Sequence, residues 1–335
     1  MSELRYNVVT QEWVIIAPER AKRPMAFAST LPMGRLPEHD PECPFCPGNE
    51  AMASEETFRM VDARGAWLTR AVKNKYPALD EDVDPIESGD FFRTSIRGFG
   101  IHEVIIDTPR HDSCITMLSI PQLTRVLLTY RHRYLAHADD KRVKHIILFK
   151  NNGMLAGSSL VHPHSQLIAS PIISHQISAR LHGMQQYFEE TGHCLMCDML
   201  QRELEENQRI IYQNDKFVSF LPYAALSSYH TWIFPRRHDA HFGALSDDDL
   251  ASLAEILSLI LQAHEKLLGR PDFNFVVRSA PMGCPNHLYH WYVSIIPRIS
   301  KTAGFEIGSN IFINTSLPEH NALELRHVVD ILRGK

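Results

Sequence analysis

Cysteine and histidine recur in this chain in two matching sets, and that repeat constrains the fold more than any other feature. Cys43-Pro-Phe-Cys46 is followed by His111, within Pro109-Arg110-His111-Asp112, and then by His162. Cys194-Leu-Met-Cys197 is followed by His238, within Pro235-Arg236-Arg237-His238-Asp239, and then by His290. The intervals from His111 to His162 and from His238 to His290 are 51 and 52 residues. In each half a histidine just after a strand leads into a helix and then to a histidine on a late strand, which predicts two copies of one supersecondary unit. We place them at 1-175 and 176-335.

Local patterns fill in each copy. In the first, 102–109 alternates as a strand. Helical periodicity runs from Ser119, a cap with Pro121 in the first turn, to His137, and puts Leu123, Val126, Leu127 and Tyr130 on one stripe. His145 to Lys150 is again a strand. In the second copy, 217–221 and 231–234 read as strands, 245–268 as a long helix opening at the Ser246 cap, and 274–278 and 290–297 as strands. Residues 4–17 read as one short strand, 67–73 as another, 80–95 as an acidic exposed connection, and a helix over 177–190 breaks at Gly192. This order predicts an α+β fold with an antiparallel sheet covered by helices, not a doubly wound parallel sheet. Neither G-x-G-x-x-G nor a Walker A loop is present.

A formal net charge of -5 supplies no basic face of the kind nucleic acid requires. No apolar run is long enough to span a bilayer, and MSELRYNVVTQEW lacks the regions of a signal peptide, so a cytoplasmic protein with small-molecule partners and no membrane association is expected. In a reducing compartment two C-x-x-C pairs point to metal more than to disulfides. Redox chemistry of the thioredoxin kind is disfavoured because neither pair opens an evident helix after a strand. Cys43, Cys46, His111 and His162 make a Cys2His2 set suited to tetrahedral zinc, and Cys194, Cys197, His238 and His290 make a second. With all four positions filled by protein, each zinc would be structural.

The reacting group is expected in Phe149–Pro171, FKNNGMLAGSSLVHPHSQLIASP. Strand alternation puts His162 and His164 on one face unless Pro163 or a bend turns them apart. If metal holds His162, its carbonyl can accept Nδ1–H of His164 and leave Nε2 free as a nucleophile. Gln166 lies on the same face and can donate to a phosphoryl oxygen, Gly157, Ser158 and Ser159 allow close approach of a diphosphate, and Arg20, Arg23 and Asn151 can bind non-bridging oxygens. No carboxylate is placed to orient His164 as in a hydrolytic triad, so phosphorus is favoured over a carbonyl as electrophile. The second half has Tyr292 where the first has His164.

These residues carry a resemblance. Arg20-Ala-Lys-Arg23-Pro24, Cys43-Pro-Phe-Cys46, Asn74, Asn151 with Gly153, Ser159, His162-Pro-His164-Ser-Gln166 and Gly304-Phe-Glu306-Ile-Gly308 resemble the galactose-1-phosphate uridylyltransferase family of the histidine-triad superfamily, and especially its ADP-glucose phosphorylase branch. The resemblance implies two histidine-triad repeats joined in an extended antiparallel half-barrel, a homodimer whose subunits share the active sites, and up to two zinc ions per chain. It implies ping-pong transfer of UMP from UDP-glucose to galactose 1-phosphate through uridylyl-His164, with phosphorolysis of ADP-glucose by phosphate as the alternative and a non-catalytic nucleotide-binding zinc protein as the third reading. Gln166 and Ser159 would hold phosphoryl oxygens, Asn74 and Asn151 the nucleotidyl portion, Glu306 a hexose hydroxyl, and Arg23 a phosphate. Ser165 departs from the glycine of typical uridylyltransferases. Arg180, Arg278 and Tyr292, with His290, occupy the positions of the iron site some members carry, so that site cannot form as such.

Overall fold

A computed structural model of the chain describes residues 2–22 and 36–334. The strands are β1 (Glu3–Asn7), β2 (Glu12–Ile16), β3 (Glu56–Val61), β4 (Trp67–Lys73), β5 (Glu87–Ser88), β6 (Ser95–Ile96), β7 (Ile101–Ile106), β8 (His145–Asn152), β9 (His164–Ser170), β10 (Ile210–Gln213), β11 (Phe217–Phe220), β12 (Thr231–Pro235), β13 (Phe273–Arg278), β14 (Tyr292–Pro297) and β15 (Phe312–Asn314). The helices are α1 (Ile120–Ala138), α2 (His175–Thr191), α3 (Leu195–Glu206), α4 (Asp247–Leu268), α5 (Gly304–Ser309) and α6 (Pro318–Leu332).

Ten strands form one sheet in the order β10-β11-β12-β14-β13-β8-β9-β7-β4-β3, with every neighbouring pair antiparallel. Outward from the central β8–β13 pair, the halves run β8, β9, β7, β4, β3 and β13, β14, β12, β11, β10. Each is the same unit, and α1 and α4 fill the same connection in both. Ser119 caps α1 by accepting from the Gln122 N–H, and Ser246 and Asp249 form a reciprocal capping box on α4. The stripe Leu123, Val126, Leu127 and Tyr130 meets Leu250, Leu253, Leu257 and Leu261 in one core with Leu148, Leu167, Phe275 and Val293 from the sheet. Each such side chain contributes about 1.5–3 kcal/mol on burial.

Strand alternation sends the intervening residues to the opposite face, where cover is uneven. At one end Cys43, Phe45, Cys46 and Trp67 lie over Val72, Val104 and Ile106. At the other, Met184 of α2 with Met196 and Leu200 of α3 lies over Val218, Phe220, Trp232, Phe234 and Tyr292. Between them a strip including Phe149, Asn151, Gln166, Asn274 and Val276 is only half-buried.

Several elements differ from the sequence reading. Residues 4–17 form a hairpin, β1–β2, turning through Gln11 at φ 59°, and β2 pairs in parallel with β15 close to the C-terminus. The 80–95 connection contains the β5–β6 hairpin. Cys194 is the N-cap of α3, so the second cysteine pair does open a helix, although after α2 and not after a strand. No helix among the described residues is long and apolar enough to cross a membrane.

Candidate active site and metal centres

The first cysteine pair lies in a turn over β7 and β9, and His111 and His162 reach it from the ends of neighbouring segments. Cys46 Sγ is 3.5 Å from His111 Nδ1 and 3.6 Å from His162 Nδ1, and Cys43 Sγ is 3.7 Å from His162 Nδ1. Ligands on tetrahedral zinc stand roughly 3.5 Å apart for a sulfur–nitrogen pair, so the spacing fits a bound ion. All four residues are buried. His162 Nε2 donates to the Thr108 carbonyl at 2.8 Å, which leaves Nδ1 as the metal-facing nitrogen. Burial pushes the Cys43 thiol up to about 11, so a dication is what would hold it as thiolate.

The second set is less complete. Cys194, Cys197 and His238 converge, with Cys197 Sγ 3.0 Å from His238 Nδ1, but all three are only half-buried. His290 Nδ1 lies 3.4 Å from Cys197 Sγ, yet His290 falls outside the mutually close group and its Nε2 has no partner. His238 Nε2 donates to the Asn286 carbonyl at 2.6 Å.

His162 sits in the bend before β9, and His164 is the first residue of that strand. Pro163 separates the two in a bend, and Phe45 lies near both rings, its centroid 6.1 Å from that of His162 and 5.6 Å from that of His164. His164 Nδ1 donates to the His162 carbonyl at 2.8 Å, and no hydrogen bond occupies Nε2 among the described residues. Burial holds His164 below its ordinary pKa, and the nearby Lys150 ammonium adds to this, both favouring the neutral ring. Behind it, on the helix side of the sheet, Lys150 Nζ donates to Asp107 Oδ2 and to the His164 carbonyl, each at 2.7 Å. Ser165 Oγ donates to Asp107 Oδ1 at 3.2 Å and accepts from the Tyr130 hydroxyl.

Gln166 is two residues along β9, and its Oε1 is 2.8 Å from His102 Nε2 on β7. Asn151, the second-last residue of β8, pairs with Asn274, whose amide donates to Asn151 Oδ1 at 2.8 Å. The chain then turns through Gly153, at φ 89°, where a Cβ would stand 1.9 Å from Asp272 Oδ1. Ser159 is exposed in the loop that leads to His162. Asn74 follows β4 and approaches His102 Nε2 at 3.1 Å.

Other expected site residues stand apart from this group. Arg20 is exposed in a short 3-10 turn after β2, and Arg23 lies outside the described residues. The Glu306 carboxylate accepts from the Ala303 N–H at 3.0 Å at the start of α5. No hydrogen bond or ion pair connects Arg20 or Glu306 with His164. Of the residues expected at the positions of the relatives' iron site, Arg180 is buried 3.7 Å from Glu12, and Tyr292 stacks on Phe234 at 4.7 Å. Sequence reasoning missed Lys150, Asp107 and His102. A lysine and an aspartate closing otherwise apolar strand runs were the available signal for the first two.

Residues 1–174 match the family model for the galactose-1-phosphate uridyl transferase N-terminal domain, and residues 180–328 match that for its C-terminal domain. The chain is 36% identical over 331 residues to ADP-glucose phosphorylase of Arabidopsis thaliana, covering 97% of this chain and 93% of the relative. It is 29% identical over 339 residues to galactose-1-phosphate uridylyltransferase of Thermotoga maritima, covering 97% and 98%. The crystal structure of the Arabidopsis thaliana ADP-glucose phosphorylase with bound ADP-glucose superposes with a TM-score of 0.85 at 34% identity, covering 97% of this chain and 98% of that one.

Proposed function

The chain belongs to the galactose-1-phosphate uridyl transferase family of the histidine-triad superfamily and is a nucleotidyltransferase, and we propose that it carries AMP from ADP-glucose to inorganic phosphate through a covalent adduct on His164. The observation that carries the chemistry is the 2.8 Å bond from His164 Nδ1 to the His162 carbonyl, which directs the Nε2 lone pair outward. That nitrogen attacks the α-phosphorus, the bond to the bridging oxygen breaks, and glucose 1-phosphate leaves. The positive charge that develops on the ring is stabilised at Nδ1–H by the carbonyl. Phosphate oxygen then attacks the phosphoramidate, ADP leaves, and the neutral imidazole returns. Gln166 donates its amide to a non-bridging oxygen, where charge grows in both transition states.

Ser159 and Asn151 line the phosphate path, and Asn74 contacts the nucleoside. The half-buried strip across β9, β8 and β13 is the trough for the nucleotide, the sheet curving around it as a half-barrel. Two repeats, 1-175 and 176-335, meet at the β8–β13 pair. Arg20, Arg23 and Glu306 act on the site of a second copy in a homodimer, which accounts for the separation of Arg20 and Glu306 from His164 within one chain. Cys43, Cys46, His111 and His162 would hold a zinc ion that would fix His162 and, through its carbonyl, His164. Cys194, Cys197, His238 and His290 would hold a second. Four thiolate ligands suit a reducing, cytoplasmic setting.

ADP-glucose is preferred over UDP-glucose because the phosphorylase is the more similar relative in sequence, at 36% against 29%, and because Ser165 replaces the usual glycine. Incubation with each sugar nucleotide followed by intact-protein mass measurement tests this. The expected outcome is an AMP adduct on His164 that phosphate discharges. A UMP adduct discharged by galactose 1-phosphate, without adenylyl transfer, would replace the reading with uridylyl transfer.

A further inference from the structure

We infer that His102 is a positioning residue for the transfer, fixing which end of the Gln166 amide faces the phosphoryl group. The inference rests on the nucleotidyl-transfer reading above and adds a residue to it. His102 is held by the loop after β4 at two points: its carbonyl accepts from the Asn74 N–H at 2.8 Å, and its Nδ1 accepts from the Ala78 N–H at 3.1 Å. A backbone N–H only donates, so Nδ1 carries no proton and Nε2 does. Nε2–H therefore donates to Gln166 Oε1 at 2.8 Å. Asn74 Nδ2 also stands 3.1 Å from this nitrogen, but Asn74 Oδ1 accepts from the Tyr76 N–H at 2.9 Å, so Nδ2 cannot accept the Nε2 proton; the Ala78 bond at Nδ1, which has no equivalent at His230, decides the tautomer and leaves Gln166 Oε1 as the acceptor.

With Oε1 committed to His102, the Gln166 NH2 is the end left for the uncovered face, and it has no protein acceptor among the described residues. A glutamine free to rotate would present its carbonyl to the phosphoryl oxygens half the time, and that orientation repels. The loop from Asn74 to Ala78, the Nδ1 bond and the Nε2 bond thus form one connection from the proposed nucleoside contact to the proposed phosphoryl contact.

The second half supplies an internal control. His230 stands 64 residues before Ser294, as His102 stands 64 before Gln166, and its Nε2 lies 2.8 Å from Ser294 Oγ. There, however, the Trp232 indole N–H donates to His230 Nε2 at 3.0 Å, so the proton is on Nδ1, which is buried without a partner. The histidine contact is kept in both halves, but the proton sits on Nε2 only in the half that has His164.

A double-mutant cycle on adduct formation in the full-length protein tests the assignment, using whichever of ADP-glucose and UDP-glucose labels the wild type. His102→Phe is expected to slow single-turnover labelling about tenfold or more. His102→Gln, which keeps a donor and an acceptor, should recover most of the rate, and His102→Phe should change the Gln166→Ala background less than about threefold, since both act on one contact. Equal slowing in both backgrounds, or no slowing in either, overturns the inference. Should the Phe variant not fold, nitrogen-15 spectra of the wild-type ring decide: an Nε2-protonated tautomer is expected, and an Nδ1-protonated one overturns it. A wild type that labels with neither sugar nucleotide removes the nucleotidyl-transfer reading itself, a result distinct from all of these.

Discussion

The two halves of the sheet are the same construction carried to different ends. Position by position, β9 with His164, Ser165 and Gln166 corresponds to β14 with Tyr292, Val293 and Ser294, since His164 pairs with Ile106 on β7 and Ser294 with Trp232 on β12 in matching registers. The cysteine pairs and the histidines at 111 and 162 recur as Cys194, Cys197, His238 and His290, whereas His164 and Gln166 do not recur. Tyr292 is buried between Phe234 and Trp232 under α2 and α3, where nothing can reach its hydroxyl for chemistry. Both cysteine–histidine clusters lie at strand ends, and only the first half carries a second histidine, His164, beside its cluster.

The largest expected effect separates those roles. His164→Asn should abolish the nucleotidyl adduct and lower turnover on the order of 10⁴-fold, as loss of a nucleophile does elsewhere, while Tyr292→Phe should leave turnover within about twofold. Quenched-flow turnover together with adduct mass measures both. An asparagine variant at full speed would end the covalent mechanism.

Metal content sharpens the comparison next. Wild-type protein is expected to hold about two zinc equivalents per chain, and Cys46→Ser and Cys197→Ser about one each. Cys46→Ser should lower the melting temperature more, because its site is fully buried and carries His162, whereas the second site is half-buried with His290 Nε2 unpartnered. Equal losses in the two variants would show that the quartets are energetically equivalent despite their different burial.

A third difference lies beneath the strands. Lys150, Asp107 and Ser165 of the first half correspond to Val277, Pro235 and Val293 of the second, so the ion pair beneath His164 has no counterpart at the matching positions. Lys150→Met leaves the Asp107 carboxylate buried without its cation and should cost about 3–5 kcal/mol in denaturant unfolding. Changing Lys150→Val, Asp107→Val and Ser165→Val together makes the patch apolar while keeping the backbone N–H of position 107 that donates to the Pro163 carbonyl at 3.0 Å, and should recover much of that stability. Adduct formation should stay slow in the triple variant, because the Lys150 bond to the His164 carbonyl is gone. A triple variant that is both stable and fast would show that the network does not position the ring.

The repeat, the first quartet and the bond from His164 to the His162 carbonyl were legible in the sequence because each is a matter of spacing: two cysteines, two histidines and a proline between donor and acceptor. Strands paired across long separations left weaker signals. β15 joins β2 in parallel from the other end of the chain, and β3 pairs β4 with two register shifts that blur its alternation. His102 read only as the start of a strand, because its meaning depends on a partner 64 residues away. Burial of Lys150 required knowing that Asp107 and the His164 carbonyl would lie under the same strand.

The smallest expected effect is a difference in sign between two buried carboxylates. Burial pushes Glu103 up, but hydrogen bonds from His137 and Arg133 outweigh it and bring the group down to about 2 from 4.5. Burial also pushes Glu203 up, and there the neighbouring Glu206 and Glu319 work against Arg209, so the result is about 7. A folded value below the unfolded one means the Glu103 contribution is present above pH about 4.5 and is lost as pH falls toward about 2. A raised folded value means the Glu203 contribution is present below about 4.5 and is lost as pH rises through about 7. Each is worth about 3 kcal/mol at its full extent, since one pKa unit corresponds to about 1.4 kcal/mol. Unfolding measured by urea across this range should lose its acid limb in Glu103→Gln and its decline toward neutral pH in Glu203→Gln. If Glu203→Gln leaves the slope between pH 4.5 and 7 unchanged, Arg209 neutralises Glu203 as fully as Arg133 does Glu103.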